Sequence, residues 1–202
     1  MREIQRFAAL ALAVCGISAQ ALTAQEPRLE RRLDAATRTA VMTIVDSARI
    51  AGLPVEPLVD RALEGASKHA EPAGIVAAVR MLAAELASAR SALGVSSSPA
   101  ELEAGASALR AGVHGEALTL LRHRRARDLT VALAALTDLV TSGVPADSAA
   151  AAVLALAPSA RDDQILDFRR AVERDIAMGA PPAAAASVRV NSTLRGAAPG
   201  KP

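Results

Sequence analysis

Apolar residues along this chain recur at helical intervals almost throughout, and strand-like alternation is nearly absent. The clearest run is Ile75, Val79, Leu82, Leu86, Ala89 and Leu93, in alternating steps of four and three. Such a stripe forms the seam of antiparallel bundles and coiled coils. Leu129, Leu133, Leu136 and Val140 repeat it, and Ile165, Phe168, Val172 and Ile176 come close. Earlier in the chain, Leu29, Leu33, Ala36, Ala40, Ile44 and Ser47 fall on one helical face, while Leu58, Ala62 and Leu63 mark a short helix after Pro54.

The breaks between these stretches are equally legible. Ser98-Pro99-Ala100-Glu101 reads as a capping box with proline at the first helical position. Gly52-Leu53-Pro54, Gly143-Val144-Pro145 and Gly179-Ala180-Pro181 share one device. Glycine adopts the left-handed conformation that ends a helix, and the proline prevents its continuation. Ser159 with Asp162 suggests one more cap. Read together, the breaks outline a short helix, a tight turn and a long helix ending in Gly-x-Pro. Pro54 to Gly94, Ser98 to Gly143 and Pro145 to Gly179 would each be one unit. The period of roughly 35 to 45 residues lies within the range of helical-hairpin repeats. The tetratricopeptide pattern does not fit, because its Trp and Tyr positions have no counterpart. An irregular bundle with ordinary caps accounts for the same marks. The expectation is therefore all-α: helical hairpins of alternating short and long helices, as a bundle or a short repeat array.

Both ends differ from this middle. Met1 to Gln25 has the three parts of a secretory signal: Arg2 and Arg6, an apolar core from Phe7 to Ile17, and small residues. Ala19-Gln20-Ala21 matches the cleavage pattern, and Ala24 offers a second cut before Gln25. The run is shorter than the roughly 20 residues that span a bilayer. Leu12-Ala13-Val14-Cys15-Gly16 also resembles a lipobox, with Val14 departing from the small residue required before the cysteine. The division expected is a signal at 1–24, a helical domain at 25–178 and an Ala/Pro/Gly-rich mobile tail at 179–202. The tail is expected to be mobile because it holds few large apolar residues to offset the entropy of ordering. The expected location is periplasmic or otherwise extracytoplasmic after cleavage, with a lipoprotein at Cys15 as the lesser alternative.

Composition sharpens the helical picture. The 202 residues are 51% hydrophobic, 22% charged and only 1% aromatic, and the apolar share is mostly Ala with Leu and Val. Ala is the best helix former and lets helix axes approach closely. The Ala and Arg bias has the look of a GC-rich bacterial genome, which concerns codons rather than function. A net charge of +2 argues against a dedicated polyanion binder. Cys15 is the single cysteine, so a chain cut beyond it has no thiol for disulfides, metal or nucleophilic attack.

Candidate chemistry is sparse. His69-Ala70-Glu71 and His114-Gly115-Glu116 have the H-x-E spacing of zinc deaminases without the cysteine pair that chemistry requires. No helical H-E-x-x-H, Walker loop, dinucleotide fingerprint or nucleophile elbow occurs. Asp162-Asp163 and Glu101-Glu103 sit at expected helix starts, where negative charge favours the macrodipole. No cofactor, metal or catalytic residue is assigned. The one cluster that stands out is Arg122-His123-Arg124-Arg125-Ala126-Arg127, between two expected helices. Arg122, Arg124, Arg125 and Arg127 are candidate contacts for an anion or a partner, since the guanidinium fork engages phosphate and carboxylate bidentately. The alternative is a solvated connection whose arginines pair with Asp128 and the end of the preceding helix. Nucleic acid is disfavoured, because single-strand sites want stacking aromatics. The function expected is an exported scaffold or adaptor that binds another envelope protein, through the helices at Ile75 to Leu93 or Leu129 to Val140. The alternatives are an envelope hydrolase with an unrecognised site, for which His114 and Glu116 are the residues to test, and an anion- or membrane-surface-binding module using the arginine cluster.

Overall fold

Ala-rich amphipathic segments separated by glycine turns leave little choice but helix, and the computed structural model is helical throughout its described residues, 28–197, with no strand among them. The proposed signal, its cleavage sites and Cys15 lie outside the described residues. After a short turn at 28–30 come α1 (Ala35–Ile50), α2 (Glu56–Ser67), α3 (Pro72–Leu93), α4 (Pro99–Arg110) and α5 (Gly115–Arg124). These are followed by α6 (Thr130–Thr141), α7 (Ala146–Leu156), α8 (Asp162–Ala177) and α9 (Pro182–Ala197). The described chain divides into two units, one up to Ala83 and one from Ala84 onward, with α3 contributing to both.

The turns carry the design. Gly52, Gly143 and Gly179 have φ of +68°, +94° and +96°, as the Gly-x-Pro device requires. At each, the amide after the glycine bonds five residues back: Leu53 N–H to Ala48 O at 2.9 Å, Val144 N–H to Leu139 O at 3.0 Å, Ala180 N–H to Asp175 O at 2.9 Å. These are Schellman ends. Two further helices end identically without the Gly-x-Pro signature, at Gly112 and at His69, whose φ is +54°.

In the first unit, Leu29, Val41, Val45, Leu58, Val59, Ala62, Ile75 and Val79 are buried. The stripe on α1 is Thr37, Val41, Val45 and Ala48, one residue out of phase with the face drawn from Leu29 through Ser47. That face carried a helical phase across a break. Asp34 caps α1, its carboxylate accepting the Thr37 N–H at 2.9 Å, so Leu29 and Leu33 belong to a separate turn.

The core of the second unit gathers α5 to α9 with the end of α3 and part of α4. Leu118, Leu121, Leu133, Leu136, Leu139, Leu156, Ile165 and Phe168 are at its centre. Helix α4 packs on α6, α6 on α7 and α8, and α9 on both α7 and α8. Gly105 on α4 permits close approach to α3. A Cβ there would lie 2.9 Å from Leu93 Cδ1 and 3.1 Å from Ala89 Cβ.

Three expectations need correcting. The stretch from Ser98 to Gly143 holds three helices of 12, 10 and 12 residues, not a short and a long one. Only Pro54–Gly94 and Pro145–Gly179 keep the short-long order, with 12 then 22 and 11 then 16 residues. The hydrophobic spacing runs through the α4–α5 turn, because Val113 and Leu118 on its two sides are both buried. The cap of α8 is Arg161 rather than Ser159, with Gln164 Oε1 accepting the Arg161 N–H at 2.9 Å.

The segment read as a mobile tail is helical from Pro182 to Ala197. Its Ala185, Ala186 and Val190 are buried, and Arg189 grips Asp175 of α8 bidentately at 2.6 and 2.7 Å. Small side chains contribute little apolar area each, but they let α9 sit close to the Ala-rich flank of α7, and alanine loses little entropy in a helix.

Candidate functional site

The arginine run spans the end of α5 and the connection to α6, and its members separate into two kinds. Arg122 is half-buried. Its Nη2 lies 2.7 Å from Glu101 Oε1, and its Nε donates to Leu93 O at 3.2 Å. Glu101 is only 4% exposed and closes a three-way junction. One carboxylate oxygen accepts the Ser98 N–H at 2.9 Å and the other the Leu129 N–H at 2.9 Å. The expected capping box is therefore present, and its glutamate also ties the start of α4 to the start of α6. Burial pushes the Glu101 carboxyl up, but the Ser98 amide, Arg122 and the Leu129 amide outweigh it and hold the group below its ordinary value.

Arg125 is the most deeply placed charge among the described residues, at 1% exposed. It ends α5 in extended backbone, which turns its side chain into the core. Its Nη1 donates to Ala160 O at 2.8 Å and Ala157 O at 3.3 Å, its Nε to Asp128 O at 3.2 Å, and its Nη2 pairs with Asp162. Burial pushes the guanidinium down from its usual value, and the Asp162 charge opposes this. A guanidinium still holds its proton at neutral pH. The cation fastens the α5–α6 connection to the α7–α8 turn, whose carbonyls have lost their helical partners.

Arg124 and Arg127 face solvent together with His123. Arg124 makes one 3.3 Å contact to Leu154 O. Of the four arginines proposed as partner contacts, two are thus occupied within the fold. The solvated connection expected as the alternative describes Arg124 and Arg127, and Arg125 reaches the Asp128 carbonyl rather than its carboxylate. Glu101 and Asp162, the acids that organise the corner, were legible only as a helix cap and a dipole partner. They lie 21 and 37 residues from Arg122 and Arg125 in sequence, beyond any local pattern.

The histidine pairs do not converge. His69 is the left-handed residue ending α2, and His114 is the N-cap residue of α5 with no side-chain capping bond. Among the described residues, no three His, Cys, Asp or Glu side chains come together to hold a metal.

The seams proposed as partner surfaces are core. Ile75, Val79, Leu82, Leu86, Ala89 and Leu93 are all buried, as are Leu129, Leu133 and Leu136. What α3 leaves exposed is the opposite side: Ala73, Ala77, Arg80, Met81, Ala84 and Ala87. Helix α3 is 22 residues long and apolar enough to cross a membrane by length and composition.

Compared with known proteins, the chain stands apart: no family model matches it, and no curated protein or solved structure matches it.

Proposed function

We propose that this protein is an exported helical scaffold or adaptor that binds another protein of the cell envelope. The observation that carries the reading is the outward side of α3, where Ala73, Ala77, Met81, Ala84 and Ala87 leave apolar surface uncovered on a helix whose other side is core. Small residues let a partner's backbone come near, and a flexible methionine adapts to its shape. Export rests on the tripartite pattern of residues 1–25.

Photo-crosslinking amino acids placed at Ala77 or Ala84, in cells expressing the full gene, test this directly. A discrete adduct from α3 positions, absent from the same probe at exposed Arg170 on α8, is the expected result. Adducts that appear equally at Arg170, or at none of these positions, would defeat the reading. The intact mass of the processed chain tests export. It should begin at Leu22 or Gln25, whereas a lipid-modified start at Cys15 would make the protein a tethered lipoprotein. An uncut chain in the cytoplasm would remove the envelope from the proposal.

A further inference from the structure

Within the first unit, α1 and α3 flank an open groove of about 390 Å3, lined by Thr43, Ile44, Ser47, Leu53, Arg80 and Ala83. The groove is apolar in all but three side chains. Two of those are hydroxyls whose protons already serve α1: Thr43 Oγ1 donates to Thr39 O at 2.9 Å and Ser47 Oγ to Thr43 O at 2.8 Å. They present methyl and methylene groups and lone pairs, with no proton to offer. Arg80 differs. Arg28, Arg38, Arg49, Arg61 and Lys68 of this unit each have a carboxylate partner, whereas among the described residues no ion pair involves Arg31, Arg32 or Arg80, and of these three Arg80 lines the groove. The groove thus combines an aliphatic surface with a single set of unused donors, all on one guanidinium. Ile50, on the same helix as three of the lining residues, is 89% exposed, and Met81 beside Arg80 is 64% exposed. Apolar bulk is therefore already outside the core at this end of α1 and along α3.

The geometry points to a specific occupant: an aliphatic helical segment of another protein that carries one acidic side chain, its apolar stripe along the groove and its carboxylate on Arg80. This deepens the adaptor reading and rests on it. An open apolar groove flanked by two helices suits the helix-in-groove mode of recognition. An acidic ligand gains the attraction of the guanidinium, a neutral one leaves it to water, and a basic one is repelled.

The test titrates the full chain with a synthetic Leu/Ala helix bearing one Glu at the edge of its apolar stripe, and with the same peptide carrying Gln there. Methyl NMR signals of Ile44, Leu53 and Ala83 report occupancy. The Glu peptide should shift these signals and leave those of α8 unmoved. Arg80→Gln should weaken the Glu peptide about fivefold, as an exposed ion pair warrants, and leave the Gln peptide unchanged. Arg80 is exposed, so its replacement leaves the melting temperature as it was, which checks the fold of the variant. Equal weakening of both peptides would overturn the role of Arg80. Absence of groove shifts at millimolar peptide would overturn the site. Groove shifts produced by laurate but by neither peptide would make the site an acyl-chain site and overturn the protein partner. If the peptides fail while the α3 crosslinks form, the groove falls and the adaptor reading stands. If the crosslinks also fail, both fall.

Discussion

Replacing Arg125 by Met tests the claim that a buried cation holds the corner between α5 and α6. Methionine keeps much of the arginine stem volume, so the loss is mainly polar. Two acceptors on buried residues, Ala160 O and Ala157 O, lose donors at 2.8 and 3.3 Å. An unsatisfied buried group costs about 1–3 kcal/mol. The longer contact falls at the low end of that range. The pair with Asp162 adds less, because that carboxylate side chain is 49% exposed and can be rehydrated. The sum is about 2–4 kcal/mol, below the roughly 3–5 kcal/mol for breaking a fully buried pair. For a chain of this size each kcal/mol moves the melting temperature by roughly 2–4 °C, so scanning calorimetry at pH 7 should show a fall of about 5–15 °C. Arg127→Met, two residues away on the exposed side, should stay within about 0.5 kcal/mol of the parent. Arg125→Lys should fall between the two, since it keeps the charge but loses the fork that reaches several acceptors at once. If Arg125→Met melts with the parent, or no lower than Arg127→Met, the corner is held by packing and the account given of Arg125 is wrong.

The other predictions concern neighbouring features. Glu101→Gln leaves one of the Ser98 and Leu129 amides without its acceptor and should cost about 1–3 kcal/mol in urea titrations at pH 7. Because the folded carboxyl is held below its ordinary value, its contribution is complete above the unfolded pKa near 4.5 and is lost as pH falls through the folded one. The gap between parent and variant should therefore narrow from pH 5 towards pH 3, and a constant gap would contradict the assignment. Gly105→Val pushes a side chain against Leu93 and Ala89 and should destabilise by about 1–3 kcal/mol, read by chemical denaturation. Gly143→Ala forces a Cβ into φ +94° and should lower stability by about 1 kcal/mol or more. Gly74→Ala, in helix α3 with nothing within 4 Å of the added carbon, should raise it by up to about 1 kcal/mol. Finding these last two in the opposite order would undo the reading of the turns.

Local chemistry made much of the fold readable in advance. The seam of α3, the Ser98 capping box and the three Gly-x-Pro ends all depend on residues within one or two helical turns of each other. Their sequence spacing therefore carries their geometry. The same logic failed where a local pattern hid a break: the phase of α1 slipped because Asp34 restarts the helix. The composition of α9 misled because small residues can still order when a neighbouring helix is equally smooth. His69 and Gly112 ended helices without the proline that made the other ends visible.

The candidate site shows the sharper division. The sequence by itself determined that the chain is helical, where most helices stop, and that a run of arginines lies between two of them. Only the tertiary structure decided that Arg122 and Arg125 are used inside the fold while Arg124 and Arg127 face water. Whether a guanidinium is a binding group or a structural tie depends on which carbonyls and carboxylates surround it. The carboxylates came from the starts of α4 and α8 and the carbonyls from the end of α3, Asp128 and the α7–α8 turn, brought to the corner by packing of side chains remote along the chain. The outward side of α3 was settled in the same way. Periodicity announced one apolar stripe, but the alanines opposite it could be assigned to surface only once neighbouring helices had claimed the other side.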